Sequence, residues 1–240
     1  MRSFSQRRRS ACRWRPTKEV RLLLQLAIDD PRHIGLAADL ADLVDIIEVG
    51  TPLLKRFGLA AIATLKQAGG GTPILVDSKT VDGGAREAQM LFGAGAAFLT
   101  VLSTASSATH EAVSKVAAEF DAHVLVDTIC APALPTSSVN YPDRFAYVGL
   151  HLGTDRRLAG QTTAEHIDAI PAVRELGYQV AIAGGISPDN IAAVVAAAPD
   201  LVIVGSAITH SQNPRRACRW IASQLTDRSH GWPHLPRSMS

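Results

Sequence analysis

Residues 73–82 read P-I-L-V-D-S-K-T-V-D. A run of apolar and β-branched residues stops at Asp77, and Lys79 and Asp82 follow within five positions. A short apolar run bounded by polar residues is the pattern of a strand buried on both faces. Two carboxylates and an ammonium at its carboxyl end fit a solvated turn, or a site at the mouth of a larger sheet. The rest of the chain decides between them.

Seven more segments resemble 73–76: 22–28, 44–49, 97–102, 123–126, 146–150, 178–183 and 201–204. Most are continuous apolar runs, as expected of parallel strands. Ala- and Leu-rich helical stretches lie between them, at 52–68, 84–94, 107–120, 163–176, 188–197 and 213–225. Ser187-Pro188-Asp189 places a capping hydroxyl before a proline at the first helical position. The fifth connection, C-A-P-A-L-P-T-S-S-V-N-Y-P-D-R, is the weakest helix candidate. Eight β-α units in about 205 residues predict a (β/α)8 TIM barrel; a doubly wound sheet repeats in the same way but does not close.

The carboxyl ends of these runs carry Asp29, Glu48, Asp77 with Lys79, Ser103, Asp127, His151, Gly184-Gly185 and Gly205-Ser206. The opposite ends show no such concentration. In a barrel all carboxyl ends meet on one face, the face that carries the chemistry. Asp29, Glu48, Asp77 and Asp127 gathered there would repel one another. Lys79 offsets one charge; a divalent cation would offset two more, and hard oxygen ligands suit Mg2+. The last two runs end in glycines ahead of helices, where backbone N–H groups can approach an anion. In this fold the seventh and eighth loops are the usual phosphate site.

Of the formal net charge of +2, residues 1–18 contribute +7 and residues 226–240 contribute +1, so 19–225 carry −6. An acidic body argues against a nucleic-acid surface on the fold. The Arg- and Ser-rich start lacks a periodic apolar face and is expected to be a disordered extension over residues 1–20. One barrel domain is expected over 21–225, followed by a loose tail over 226–240. No run approaches the roughly 18–20 apolar residues that span a bilayer, and no apolar segment follows the basic start as in a secretory signal. Cys12, Cys130 and Cys218 are far apart with no C-x-x-C, which fits a reducing, cytoplasmic setting and neither a disulfide frame nor a zinc site.

D-S-K-T-V-D matches the D-x-K-x-x-D motif of the orotidine monophosphate decarboxylase suprafamily. With DIIEVGTPLLKRFG, FLTVLS, HLGTD, AIAGGIS and VIVGSAIT, the chain from about 22 to 225 resembles the 3-hexulose-6-phosphate synthase branch. That resemblance implies a dimeric (β/α)8 aldolase that joins formaldehyde to ribulose 5-phosphate with Mg2+, in formaldehyde assimilation or detoxification. It implies Glu48 and Asp77 as metal ligands and Lys79 beside an enediolate. Asp82 would reach into the partner's site, and Asp29, Asp127 and His151 would complete the polar mouth. Gly184, Gly185, Gly205 and Ser206 would hold phosphate. His151 is the best candidate to move the proton, since an unperturbed imidazole titrates near pH 6.5. The decarboxylases of orotidine monophosphate usually carry Lys where Glu48 stands. The sister 3-keto-L-gulonate 6-phosphate decarboxylases, the alternative function, typically carry Arg and Thr where Thr154 and Ala183 stand. Leu152 and STASSATH depart from the synthase pattern and would reshape the aldehyde pocket. A non-catalytic sugar-phosphate sensor is the remaining alternative.

Overall fold

The computed structural model describes residues 22–131 and 141–226. The expected N-terminal extension, the tail and most of the fifth connection lie outside them. Eight strands follow in order: β1 (Leu23–Ile28), β2 (Ile46–Val49), β3 (Ile74–Thr80), β4 (Phe98–Leu102), β5 (His123–Asp127), β6 (Phe145–His151), β7 (Gln179–Ala183) and β8 (Leu201–Val204). Each pairs in parallel with its neighbours in sequence, and β1 also pairs with β8, so the sheet closes into a (β/α)8 barrel. All eight segments expected to be strands are strands.

The helices are α1 (Leu36–Leu40), α2 (Thr51–Phe57), α3 (Leu59–Ala68), α4 (Gly84–Gly93), α5 (Ser107–Glu119), α6 (Thr154–Leu158), α7 (Ala164–Glu175), α8 (Ile191–Ala197), α9 (Ser206–Thr209) and α10 (Pro214–Thr226). The single helix expected over 52–68 is two. Gly58 sits at φ +57°, where an L side chain is disfavoured, and its N–H closes α2 on Leu54 O at 2.7 Å. The helix expected from Pro188 starts at Ile191. Residues 188–190 form a turn instead, tied by Ser187 Oγ to the Asp189 N–H at 3.3 Å and by Asn190 Oδ1 to the Ser187 N–H at 2.9 Å. Among the described residues no helix is long and apolar enough to cross a membrane.

Two apolar regions hold the barrel. The larger lies between strands and helices. The smaller plugs the barrel interior with one residue from each strand: Leu23, Ile46, Leu75, Phe98, Leu125, Tyr147, Ala181 and Leu201. Side chains two apart on a strand share a face. The next inward layer toward the carboxyl ends is therefore Gln25, Glu48, Asp77, Thr100, Asp127, Gly149, Ala183 and Ile203, and all eight line the cavity at the mouth. The plug closes the floor, and the polar layer rests on it.

Candidate active site at the barrel mouth

The site begins with an irregularity in β3. Leu75 and Val76 pair with Phe98 and Leu99, but Val101 pairs with Thr80. Between Val76 and Thr80 the strand therefore carries two residues more than its partner, and these extra residues bulge into the mouth. The strand does not end at Val76, as the apolar run alone suggested, but resumes at Thr80. Lys79 takes the left-handed conformation, φ +49°, which is uncommon for a residue with a side chain. Its N–H donates to Thr100 Oγ1 at 2.8 Å, and Ser78 Oγ donates to Thr100 O at 2.8 Å. Strand β4 thus holds the bulge that aims Asp77 and Lys79.

Asp77 is buried and heavily hydrogen-bonded. Thr100 Oγ1 donates to its Oδ1 at 2.9 Å, Thr51 Oγ1 to its Oδ2 at 2.9 Å, and Lys79 Nζ forms an ion pair with Oδ2. Lys79 Nζ also lies 3.3 Å from Asp127 Oδ2. Burial alone would lower the Lys79 ammonium, but Asp77, Asp127 and Glu48 outweigh it and hold the pKa above its ordinary value.

Asp127 is buried at the end of β5, and burial alone would raise it. His151, Lys79 and the Ile129 N–H (2.8 Å) more than compensate, so it stays below the usual carboxylate value. An ionised carboxylate only accepts. His151 Nδ1, 3.1 Å from both Asp127 oxygens, must therefore donate, which leaves Nε2 as the ring atom that can take a proton.

Glu48 has the opposite character. It is pushed up to about 8, by burial first and by Asp77 second, although Gln25 Nε2 donates to Oε2 at 2.5 Å. Asp29 stands at the rim above Gly50, where any Cβ would meet Asp29 Oδ1 at 1.9 Å. It too lies above its ordinary value, from partial burial and from Asp77. The layer holds more negative charge than Lys79 offsets, and the buried Gln25 Oε1 has no partner. Two carboxylates and a free amide oxygen are hard donors that fit Mg2+, an ion often held by one or two carboxylates with water completing its shell. Among the described residues no group of three His, Cys, Asp or Glu side chains is placed to hold a metal ion.

Across the mouth, Gly184 and Gly185 follow β7 with φ of +88° and +70°. A Cβ at 184 would lie 2.0 Å from Leu152 O. Gly205 leads into α9, and Ser206 faces the same cavity of about 550 Å³. The structure thus gathers Asp29, Glu48, Asp77, Lys79, Asp127, His151, Gly184, Gly185, Gly205 and Ser206 around one space. It does not bring in Asp82, which is exposed between β3 and α4 and makes no ion pair among the described residues. Ser103 is not among the cavity residues; its buried hydroxyl has no partner.

Sequence reasoning missed Gln25, Thr51 and Thr100, which orient the carboxylates. Gln25 and Thr100 were legible as the residues two positions beyond the plug residues of their strands. Arg156 and Arg157 on α6 also line the cavity; as a surface pair in a turn they carried no local signal.

Fold and mouth define a barrel enzyme whose carboxylate–lysine–histidine cluster faces glycine turns. Residues 22–221 match the model of the Orotidine 5'-phosphate decarboxylase / HUMPS family, and the chain belongs to that family. A 3-hexulose-6-phosphate synthase of Staphylococcus aureus is 34% identical over 200 residues, 82% of this chain and 95% of that protein. The crystal structure of 3-hexulose-6-phosphate synthase from Salmonella typhimurium superposes with a TM-score of 0.79 at 37% identity, over 85% of this chain and 98% of that one. That of 3-keto-L-gulonate-6-phosphate decarboxylase from Vibrio cholerae gives 0.69 at 27%, over 89% and 100%.

Proposed function

We propose that this chain condenses formaldehyde with D-ribulose 5-phosphate to D-arabino-hex-3-ulose 6-phosphate. The observation that carries this reading is the chain of contacts Asp77–Lys79–Asp127–His151 at the barrel mouth. A proton acceptor and a fixed cation there serve the same small carbanion-like intermediate. The names of the synthase relatives support the substrate pair.

In this mechanism the glycine turns after β7 and β8 anchor the phosphate, which sets the ketose end of the sugar toward His151. His151 Nε2 removes a proton from C1, and the bonding pair becomes the C1–C2 double bond of an enediolate as the C2 oxygen takes the charge. Asp127 stabilises the imidazolium that forms. Lys79 stabilises the enediolate charge. Glu48 and Asp77 would hold Mg2+, which when bound adds Lewis-acid stabilisation of enediolate charge. C1 then attacks the formaldehyde carbon; the carbonyl π pair moves to its oxygen, which takes the proton back from His151. One C–C bond forms and nothing is lost.

Asp82 is assigned to the mouth of a partner subunit in a homodimer. Its exposure supports this, as do the exposed Phe57, Leu59, Val81 and Met90 on the segment from α2 to α4. The decarboxylase alternative is weaker at the histidine loop, where Thr154 offers no charge to a carboxylate.

The test is formaldehyde consumption by purified protein with ribulose 5-phosphate, with and without Mg2+. Metal-dependent loss that needs the sugar phosphate supports the proposal. No loss in either condition, with CO2 released from 3-keto-L-gulonate 6-phosphate, replaces it with the alternative.

A further inference from the structure

The phosphate site just proposed is built of backbone, and a phosphate dianion bound by backbone alone in an acidic body lacks a counter-charge. Lys79 is committed to Asp77 and Asp127. We propose that Arg157 is the cation that closes on the substrate phosphate over the β7 turn, and so sets the preference for phosphorylated ketoses. This rests on the phosphate reading of the glycine turns.

Three observations carry it. Arg157 Cδ lies 3.2 Å from where a Cβ of Gly185 would stand, so the arginine stem passes close over the turn. The Gly184 carbonyl accepts from Thr163 Oγ1 at 2.8 Å. Because the peptide is trans, the Gly185 N–H points the opposite way from Thr163, ready for an anion. The two neighbouring arginines also differ. Neither makes an ion pair among the described residues, but Arg156 Nε is bonded to Gln161 Oε1 at 2.5 Å, whereas the Arg157 side chain makes no hydrogen bond there.

The root of α6 is held in place. The Arg157 N–H bonds Gly153 O at 3.0 Å, and Ile129 Cδ1 packs 3.1 Å from the Cβ position of Gly153. A guanidinium on a fixed root, with its stem laid across a glycine turn, can present a planar fork to phosphate oxygens. It stands in water until the anion arrives, so its desolvation cost falls on binding and not on folding.

The test measures inorganic phosphate binding by calorimetry, and KM for ribulose 5-phosphate, in wild type, R157Q, R157K and R156Q. The expected result is a phosphate Kd raised about tenfold or more in R157Q. The rise should be smaller in R157K and within twofold of wild type in R156Q. KM should rise in parallel while kcat changes little. Should R157Q fold poorly, R157K carries the comparison, with a Kd two- to tenfold above wild type. Unchanged phosphate affinity in R157Q and R157K overturns the assignment and leaves the glycine turns as the whole site. A wild type that does not bind phosphate overturns both. Phosphate bound as expected by a protein inactive toward formaldehyde would fault the reaction and keep Arg157.

Discussion

The backbone N–H of Lys79 donates to Oγ1 of Thr100 at 2.8 Å, across the gap between β3 and β4. The same hydroxyl donates to Asp77 Oδ1 at 2.9 Å. One buried threonine therefore holds both ends of the two-residue bulge, at a lysine whose φ of +49° would relax without such support.

Thr100→Val keeps the shape and removes the hydroxyl. The Lys79 amide and the Asp77 oxygen each lose a partner, at a cost of about 1–3 kcal/mol for the group left buried. A midpoint lowered by about 2–4 °C per kcal/mol is expected in thermal melting. A fall in kcat of at least tenfold should accompany it, since Lys79 is no longer aimed. A variant with wild-type kcat would show that Thr100 does not position Lys79.

Asp127→Asn is nearly isosteric but changes what Nδ1 of His151 meets. The amide can turn its NH2 toward the ring, so that Nδ1 accepts and Nε2 carries the proton, which removes the base. Burying a neutral amide in place of a carboxylate costs the fold little, though Lys79 loses one of its two anions. The expected outcome is kcat reduced by about 10²–10⁴-fold with a nearly unchanged melting point. Equal kcat across the pH range in both proteins would transfer the proton to another group.

Much of this architecture was legible from the runs themselves. Parallel strands in a barrel are covered on both faces, so LLLQLAI, FLTVL and LVIV announce themselves without context. The plug and the polar layer above it are the same alternation read along each strand. The bulge was not legible. D-S-K looks like the end of a strand because its partner, Thr100, is more than twenty residues away, and the register is set by pairing and not by composition. Gly58 was missed for the converse reason: one glycine in an Ala- and Leu-rich helix looks tolerable until the backbone turns there. Arg157 is local in sequence and distant in meaning, since only the fold lays it over Gly185.

Gly184 and Gly71 separate conformational strain from collision. Both have positive φ, +88° and +107°, but a Cβ at Gly71 meets nothing within 4 Å while one at Gly184 would lie 2.0 Å from Leu152 O. Gly71→Ala is expected to cost about 1–2 kcal/mol, from strain alone. Gly184→Ala must displace backbone and should cost at least twice as much in urea unfolding, and weaken phosphate binding as well. Equal unfolding midpoints would mean that the β7 turn is free to shift.

Glu48 gives the apo protein a pH-dependent stability whose sign is opposite to that of a salt-bridged carboxylate. Its folded value, about 8, lies above the ordinary 4.5, so folding favours the protonated form. That contribution is complete below about pH 4.5, declines as pH rises, and is gone above about pH 8, where the fold must bury the charge beside Asp77. Glu48→Gln keeps an acceptor for Gln25 Nε2 without the charge. In metal-free buffer at pH 8.5 the variant should therefore melt above wild type, by about 2–4 °C for each kcal/mol recovered, and the difference should close by pH 4.5. Added Mg2+ should raise the wild-type midpoint at pH 8.5 and leave that of Glu48→Gln nearly unmoved, because an ion needs the carboxylate and cannot use the amide as well. A wild type that melts above Glu48→Gln at pH 8.5 without metal would show that Glu48 is compensated by the fold itself, and the case for a cation at Glu48 and Asp77 would lose its physical basis.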